Sequence, residues 1–170
     1  GMPDREKIKR LWQQMLKSMR HDGAFTNPDV EAAFSAVPRH LFLPDVSLED
    51  VYSDKAIPLK KDSSGMLTSS SSQPGMMAIM IDQMELERGD NVLEIGTASG
   101  YNAAIMQHIV GNSGNVTTIE IDNDLARQAQ RHLQNAHASR VTVVNTDGAQ
   151  GYAPRAAYDH VVSTVGVWDI

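Results

Sequence analysis

The sequence predicts an α/β fold with a doubly wound, mostly parallel sheet, and two observations carry this prediction. From residue 92 onwards, short apolar runs and amphipathic stretches follow in the order strand, helix, strand, helix, strand and then strand. That order is typical of parallel strands joined by right-handed crossovers. The second observation is the segment Val92–Tyr101, in which a buried strand, a glycine-bearing turn and the start of a helix follow one another directly.

The turn in this segment is a candidate ligand site. Gly96 interrupts the apolar strand Val92–Ile95, and Ser99 and Gly100 follow just before the helix. The backbone N–H groups of such a turn and the positive end of the helix dipole can bind a polar or negative group. Glu120 closes the next strand about twenty residues later, where a carboxylate can accept hydrogen bonds from both hydroxyls of a ribose. A glycine turn alone is also typical of an ordinary tight turn, but the strand, helix and distal acid together favour a nucleoside-type cofactor.

Composition narrows the class of protein. The 170 residues carry a formal charge of −6, which provides no basic field for a phosphate backbone and disfavours nucleic acid as a partner. There is no cysteine, so disulfides, thiolate catalysis and cysteine–metal sites are excluded. The six histidines lack a convincing ligand spacing, and we expect no metal. The apolar runs are too short to span a membrane and the N-terminal stretch is polar, which points to the cytoplasm.

The N-terminal part is predicted to be helical. Apolar residues recur at helical spacing from Asp4, which can cap the helix, to about Met19. A second helix is predicted to begin at Asn27-Pro28, because proline is tolerated in the first helical position. We expect these helices to form a cap on the sheet, with residues 1–73 making the cap and an active-site loop and residues 74–170 the core of one compact domain.

Residues 40–72 are predicted to be irregular or short-stranded, because prolines, a glycine and four consecutive serines interrupt any periodic pattern. By composition alone, the run Ser69–Ser72 is typical of a flexible linker. Pro74, however, sets the start of a helix directly afterwards. Ser72 then lies near the helix N-cap, where its hydroxyl can bond the first-turn amides. On this second interpretation the serines are held in place.

Three further elements follow the glycine turn and the strand that Glu120 closes. Asp122 or Asn123 can cap a helix, the next strand covers Val141–Val144, and the last strand covers Tyr158–Val165. The carboxyl ends of parallel strands meet at one edge of a sheet, where open α/β sheets bind ligands. We therefore expect four residues to gather at that edge: Glu94, Glu120, Asp147 and Thr164.

These motifs together resemble a known family. The segment Val92–Tyr101, with Glu120, Asp147-Gly148 and Tyr158-Asp159, is similar to the S-adenosylmethionine-dependent methyltransferases of the Rossmann-like class. Four motifs narrow the resemblance, over nearly the whole chain, to the protein-L-isoaspartate O-methyltransferases: Val37–Phe42, Tyr52–Asp54, Ser72–Pro74 and Gly96–Tyr101. The segment Ser69–Pro74 looks most like a bacterial subgroup, some members of which accompany the biosynthesis of modified peptides. The resemblance implies a Rossmann-like fold with an N-terminal helical cap and S-adenosyl-L-methionine as cofactor.

The resemblance also implies roles at the cofactor site. Four residues of the turn would line the methionine end of the cofactor: Gly96, Thr97, Ser99 and Gly100. Glu120 would hold the ribose, with Ile121 against the adenine face. Asp147 would accept from the adenine amino group and Gly148 would supply a backbone amide. Three further residues are candidates for the same site: Ser70, Ser71 and Glu94.

Ser72 would stand where the family has its active-site serine, near the transferring methyl group. Methyl transfer from a sulfonium to a carboxylate is an in-line displacement, and the acceptor oxygen is already ionised at pH 7. Placement and exclusion of water must then carry the rate, so we interpret Ser72 as an orienting donor rather than a nucleophile. A helix cap is the alternative role. The expected acceptor is an isoaspartyl residue of a protein or peptide, as in protein repair, or an aspartate of a dedicated partner peptide.

Three departures from the family pattern are visible. Ala98 stands where glycine is usual, which costs about 1 kcal/mol if the position needs a positive φ. Gly75 and Met77 replace histidines common in the animal enzymes. The family continues with further strands beyond the fourth, which suggests a truncated or processed form. We would then expect a free edge on the last strand and, as a consequence, a homodimer.

Other classes remain open at this point. An NAD-binding oxidoreductase also has a glycine turn and a distal acid, but Asp147-Gly148 and the missing second glycine favour the methyl donor. A nucleic-acid methyltransferase is disfavoured by the acidity and by Thr164-Val165-Gly166, which stands where an Asn/Asp-Pro-Pro-aromatic turn would be expected. A catalytically idle S-adenosylmethionine-binding module, acting as a partner or sensor, is the non-enzyme alternative.

Overall fold

Four parallel strands form the central sheet in the part of the chain that the structure describes. The structure, a computed structural model, describes residues 2–149 and 151–164. In chain order its helices and strands are α1 (Met2–His21), α2 (Pro28–Ala36), α3 (Leu48–Val51), β1 (Ile57–Lys61), β2 (Leu67–Ser71), α4 (Pro74–Met84), β3 (Asn91–Ile95), α5 (Tyr101–Val110), β4 (Asn115–Ile119), α6 (Asn123–Asn135), β5 (Thr142–Val144) and β6 (His160–Ser163). The order across the sheet is β5-β4-β3-β6, and every pair is parallel. The predicted α/β fold with a mostly parallel sheet is confirmed. Val165, the predicted end of the last strand, lies outside the described residues.

The central strands are buried because helices cover the sheet. β3 and β4 are almost wholly inaccessible to solvent, as expected for apolar parallel strands with covered faces. α5 is buried along nearly its whole length and packs against β4 and α2. α6 is amphipathic and buries four small or apolar side chains: Leu125, Ala126, Ala129 and Leu133. Asp122 is its N-cap and accepts a hydrogen bond from the Leu125 amide at 3.0 Å.

Aromatic contacts join the N-terminal helices to the start of α5. Trp12 stacks on Tyr52 with ring centroids 5.8 Å apart, and its Nε1 donates to the Phe34 carbonyl at 2.9 Å. Phe34 and Phe42 both contact the ring of Tyr101, at 6.0 and 5.7 Å between centroids. A single apolar cluster therefore runs from α1 to β5. The division of the chain at residue 73 stays a prediction.

The two N-terminal helices follow the predicted pattern with one correction at the first cap. α2 begins at Pro28 with Asn27 as N-cap, as predicted, and the Asn27 side chain accepts from the Asp29 amide at 2.9 Å. α1 begins at Met2, so Asp4 lies in the first turn and is not the cap, although a carboxylate there still suits the helix dipole. Within residues 2–149 and 151–164, no helix combines the length and apolar character that crossing a membrane requires.

The segment between α3 and α4 is a β-hairpin. β1 and β2 pair antiparallel with register irregularities, and the Asp62 side chain organises the tip by accepting from the amides of Ser64 and Met66. Residues 69–71 therefore belong to a strand and not to a flexible linker. α4 begins at Pro74 with Gln73 as N-cap, so Ser72 lies next to the cap as predicted but is not the capping residue itself. The first-turn amide of Gly75 donates instead to the Asp54 carboxylate, from elsewhere in the chain, at 2.8 Å.

Candidate functional site

The turn after β3 brings three residues of left-handed conformation together. Gly96, Ala98 and Gly100 have φ angles of 95°, 49° and 92°. The Gly96 amide donates to the Ile119 carbonyl at 2.8 Å, and the Gly100 amide donates to the Thr97 carbonyl at 2.9 Å. The turn is therefore closed on itself and attached to β4. Ala98 does need a positive φ, so its side chain carries about 1–2 kcal/mol of strain.

Glu120, directly after β4, has its carboxylate held by two backbone amides. Ala98 N donates to Oε1 at 3.3 Å and Asp122 N donates to Oε2 at 3.0 Å. The side-chain amide of Asn145 also donates to the Glu120 carbonyl at 2.8 Å. A carboxylate offers about four lone-pair positions. Glu120 is thus a fixed, largely buried acceptor that retains capacity for two more hydrogen bonds.

A chain of hydroxyl groups beneath the turn ends on a buried carboxyl. Thr118 Oγ1 donates to Glu94 Oε1 at 2.6 Å and lies 2.8 Å from Thr97 Oγ1. Burial raises the pKa of Glu94 to about 8, and its second oxygen has no partner among the described residues. Burial therefore favours the neutral form of Glu94, and Thr118 links this carboxyl to Thr97 in the turn.

A cleft of about 640 Å³ opens at the carboxyl ends of the parallel strands. Glu120, Ile121, Asp147 and Gly148 line one side of it. A side chain at position 148 would place its Cβ 2.7 Å from Cγ2 of Ile95, which is too close, so glycine lets the backbone approach the Ile95 side chain in the cleft wall. The Ile121 side chain is 68% exposed, and Asp147 Oδ1 accepts from the Ala149 amide at 2.9 Å. The cleft thus combines apolar surface with fixed acceptors.

The hairpin β1–β2 forms another wall of the cleft. Ser70 is 3% exposed and its hydroxyl has no partner among the described residues, although the residue lines the cleft. Lys60 lines the cleft too and pairs with Asp122 Oδ2 at 2.5 Å and with Asp124 Oδ2 at 4.0 Å. This ion pair ties the hairpin to the start of α6, next to Glu120. The hairpin therefore closes over one side of the cleft.

The strand β2 leads from this wall to Ser72. Ser71 Oγ lies 3.3 Å from Ser99 Oγ, which also accepts from the Tyr101 amide at 3.3 Å. Ser72 is 8% exposed, and its carbonyl accepts a hydrogen bond from Nη2 of Arg39 at 3.2 Å. The serine strand is thus attached both to the glycine turn and to the N-terminal part of the chain.

Comparison with known proteins decides the family. The family model for protein-L-isoaspartate(D-aspartate) O-methyltransferase matches residues 10–170. The chain belongs to this family. A protein-L-isoaspartate O-methyltransferase of Ignicoccus hospitalis is 38% identical over 152 residues, which are 89% of this chain and 69% of that protein. One of Pyrococcus horikoshii is 34% identical over 169 residues, 99% of this chain and 73% of that protein.

Solved structures agree with this family. A protein-L-isoaspartate O-methyltransferase structure, 30% identical, superposes with a TM-score of 0.80 over 90% of this chain and 47% of that chain. A Plasmodium falciparum protein of the same description, crystallised with S-adenosyl-L-homocysteine, has a TM-score of 0.74 at 15% identity and covers 88% of this chain and 71% of that one. The second similarity shows the fold alone.

The residues that the family resemblance singled out fall into two sets. Six of them line the cleft: Ser70, Gly96, Glu120, Ile121, Asp147 and Gly148. The other six do not line it: Ser71, Ser72, Glu94, Thr97, Ser99 and Gly100. The second set is buried next to the turn or at the end of β2. Which of the twelve touch the cofactor or the acceptor stays a prediction.

Sequence reasoning missed Lys60 and Thr68, both of which line the cleft. Neither belongs to a motif, since each lies in the stretch where no periodic pattern exists. Only the pairing of β1 with β2 brings them to the strand ends. The signal that could have indicated Lys60 was charge, because Lys60 lies on one segment and the acidic residues Asp122 and Asp124 lie on another.

Proposed function

We propose that the protein is an S-adenosylmethionine-dependent O-methyltransferase that methylates a carboxylate of a protein or peptide, with L-isoaspartyl residues as its acceptors. The observation that carries the proposal is Glu120. It is a fixed carboxylate with free acceptor capacity, at the carboxyl end of a central parallel strand, in a chain of the protein-L-isoaspartate O-methyltransferase family. Repair of isoaspartyl proteins is the role that this activity implies.

The cleft residues fit an adenosyl group. The cleft volume of about 640 Å³ is in the range of small-molecule sites. Glu120 provides acceptors for the ribose hydroxyls, Asp147 an acceptor for the adenine amino group, and Ile121 an exposed apolar face for the ring. A Cβ at Gly148 would clash with Ile95, so glycine suits this position in the wall, and the Ser70 hydroxyl has no partner among the described residues. When bound, S-adenosylmethionine supplies the electrophilic methyl group.

We assign the glycine turn to the methionine end of the cofactor. Its members are Gly96, Thr97, Ser99 and Gly100, and the start of α5 adds the positive end of its dipole. Glu94 supports the turn through Thr118, and Ser71 supports it through Ser99. Ala98 lines the cleft within this turn, and its positive φ lowers the stability of the arrangement.

Ser72 acts on the acceptor. A carboxylate with an ordinary pKa near 4 is ionised at pH 7, so the chain need not supply a general base. Its contribution is to place the acceptor oxygen and to keep water away. In our proposal the Ser72 hydroxyl donates to the acceptor carboxylate and aligns it. Its neighbours Ser71 and Gln73 are held by the glycine turn and by α4, so the hydroxyl belongs to a well-fixed backbone.

The partner of this family is a protein substrate, and we propose an exposed peptide segment that carries isoaspartate. An aspartate of a dedicated partner peptide is the second acceptor we propose. The net charge of −6 supports the absence of nucleic-acid partners, and a membrane partner is not proposed. Self-association through β6, where Val161 is 61% exposed at an edge of the described sheet, remains a prediction, as does a cytoplasmic location.

The proposal is tested in two steps. Calorimetry with S-adenosylhomocysteine and with NAD identifies the cofactor class, and binding of NAD alone would refute the proposal. Tritiated methyl transfer to matched isoaspartyl and aspartyl peptides then identifies the acceptor. We expect label in the isoaspartyl peptide, and a loss in Ser72→Ala that affects turnover more than S-adenosylhomocysteine binding. Cofactor binding without label in either peptide would favour the idle module.

A further inference from the structure

Arg39 is completely buried and binds three separate segments of the chain. Its side chain has 0% solvent exposure. Nη1 donates to the Val51 carbonyl at 2.7 Å, and Nη2 donates to the carbonyls of Lys55 and Ser72 at 3.0 and 3.2 Å. The first carbonyl ends α3, the second lies in the loop before β1, and the third joins β2 to α4. A single guanidinium group thus fixes the backbone on both sides of the hairpin.

A buried cation is costly, so its surroundings must favour it. The guanidinium lies over the ring of Tyr101, 5.7 Å from the centroid, where a cation–π contact is favourable. Burial lowers the pKa of Arg39, while Tyr101 and Asp54 oppose this change. Arginine suits the site because its planar fork can serve several acceptors at once, whereas a lysine is a single flexible point charge.

Asp54 holds the other side of the Ser72 junction. Its Oδ1 accepts from the Gly75 amide at 2.8 Å, in the first turn of α4. Asp54 itself has a φ of 56°, a left-handed conformation that aspartate tolerates better than most residues. Arg39 therefore binds the carbonyl of Ser72, and Asp54 binds the amide three residues later. We call these two residues the Arg39–Asp54 clamp.

We propose that the Arg39–Asp54 clamp positions Ser72 for the acceptor step. Neither Arg39 nor Asp54 lines the cleft, and both bind backbone groups on either side of Ser72, so we assign them as positioning residues and not as catalytic ones. The clamp fixes the backbone that carries the Ser72 side chain, and with it the position of the Cα–Cβ bond from which the hydroxyl projects. This inference rests on the proposed function, because it assigns Ser72 to the acceptor.

The test measures turnover and cofactor affinity separately. Arg39→Lys keeps the charge but loses the fork, and we expect kcat on an isoaspartyl peptide to fall by about tenfold or more, since a shift of about 1 Å in a positioned group costs on the order of 100-fold. The dissociation constant of S-adenosylhomocysteine should stay within about twofold. Arg140→Lys is the matched control, because Arg140 donates to the Gly114 carbonyl, outside the Ser72 junction.

A second pair of variants, at Asp54, tests the clamp even if the Arg39→Lys protein does not fold. Asp54→Asn keeps an acceptor for the Gly75 amide and should retain most of kcat. In Asp54→Gly, glycine tolerates the positive φ at position 54, but the hydrogen bond from the Gly75 amide is lost, so kcat should fall. In a Ser72→Ala background, Arg39→Lys and Asp54→Gly should each cause less than about a twofold further loss, because the group they position is gone.

The outcomes separate the inference from the proposed function. Failure of the unaltered protein to label an isoaspartyl peptide refutes the proposed function and removes the basis of the clamp with it. Two results overturn the clamp alone when the unaltered protein labels the isoaspartyl peptide normally. The first is a double variant whose loss of kcat equals the product of the two single losses, and the second is an S-adenosylhomocysteine affinity that falls in step with kcat. If Arg39→Lys does not fold, equal kcat in Asp54→Asn and Asp54→Gly overturns it.

Discussion

Replacing Glu120 by glutamine should weaken cofactor binding strongly while the protein stays folded. The carboxylate accepts from the amides of Ala98 and Asp122 and keeps two lone-pair positions for the ribose hydroxyls. Glutamine has only one acceptor oxygen, so its NH₂ group must face one of the two amides or the ribose. The lost hydrogen bonds to a charged acceptor are worth about 1.5–3 kcal/mol. This corresponds to a dissociation constant about 10- to 150-fold higher for S-adenosylhomocysteine.

Calorimetric titration of S-adenosylhomocysteine measures this change directly, and circular dichroism with thermal unfolding verifies the fold of each variant. Glu87→Gln is the matched control, because Glu87 is exposed and precedes β3 at the end of the strand opposite to the cleft. We expect Glu87→Gln to bind S-adenosylhomocysteine with the same affinity as the unaltered protein. An affinity of Glu120→Gln within twofold of the control would refute the assignment of Glu120 to the ribose.

Three further predictions concern stability and closure of the site. Ala98→Gly should raise the free energy of unfolding by about 0.5–1 kcal/mol, because about 1–2 kcal/mol of strain is relieved while the greater entropy of the unfolded chain lowers stability by about 0.4–1 kcal/mol. An unchanged free energy of unfolding in urea would contradict the strain at Ala98. Because burial raises the pKa of Glu94 from 4.5 to about 8, the free energy of unfolding should fall as pH rises from 4.5 to 8. Glu94→Gln should reduce this fall, and an equal pH dependence of the melting temperature in the two proteins would contradict the prediction. Lys60→Met should release the hairpin from Asp122 and speed S-adenosylhomocysteine dissociation in stopped-flow experiments, less so at high salt, with Lys61→Met as control; equal rates in both variants would count against closure by the hairpin.

The parallel core could be predicted from the sequence because its signals are local. The apolar strands around Glu94 and Glu120 and the cap at Asp122 each occupy a few consecutive residues, and the alternation of elements restricts the topology. Residues directly after strands, such as Asp147 and Gly148, then gather at one edge as a geometric consequence. These positions line the cleft as the sequence predicts.

The hairpin and its contacts could not be predicted in the same way. Its strands contain lysines and serines instead of an alternating apolar pattern, so no hydrophobic periodicity predicted them. Lys60 meets Asp122 across 62 positions of sequence, and Arg39 reaches the Ser72 carbonyl across 33. The acceptor for the first turn of α4 is Asp54, 21 positions before Gly75, whereas the sequence suggested the nearby Ser72 hydroxyl. Contacts of this kind depend on tertiary packing and leave no local signal.

The central claim is that this chain esterifies a carboxylate of a peptide, and the chemical stability of the transferred label tests it most directly. An isoaspartyl peptide and its aspartyl counterpart are incubated with the protein and S-adenosylmethionine carrying a tritiated methyl group, and the washed peptides are then exposed to mild alkali. A methyl ester is hydrolysed under these conditions and releases volatile tritiated methanol, whereas a methyl group on nitrogen stays bound. We predict volatile label from the isoaspartyl peptide, in excess over the aspartyl one. Label that remains on the peptide after alkali would contradict the account.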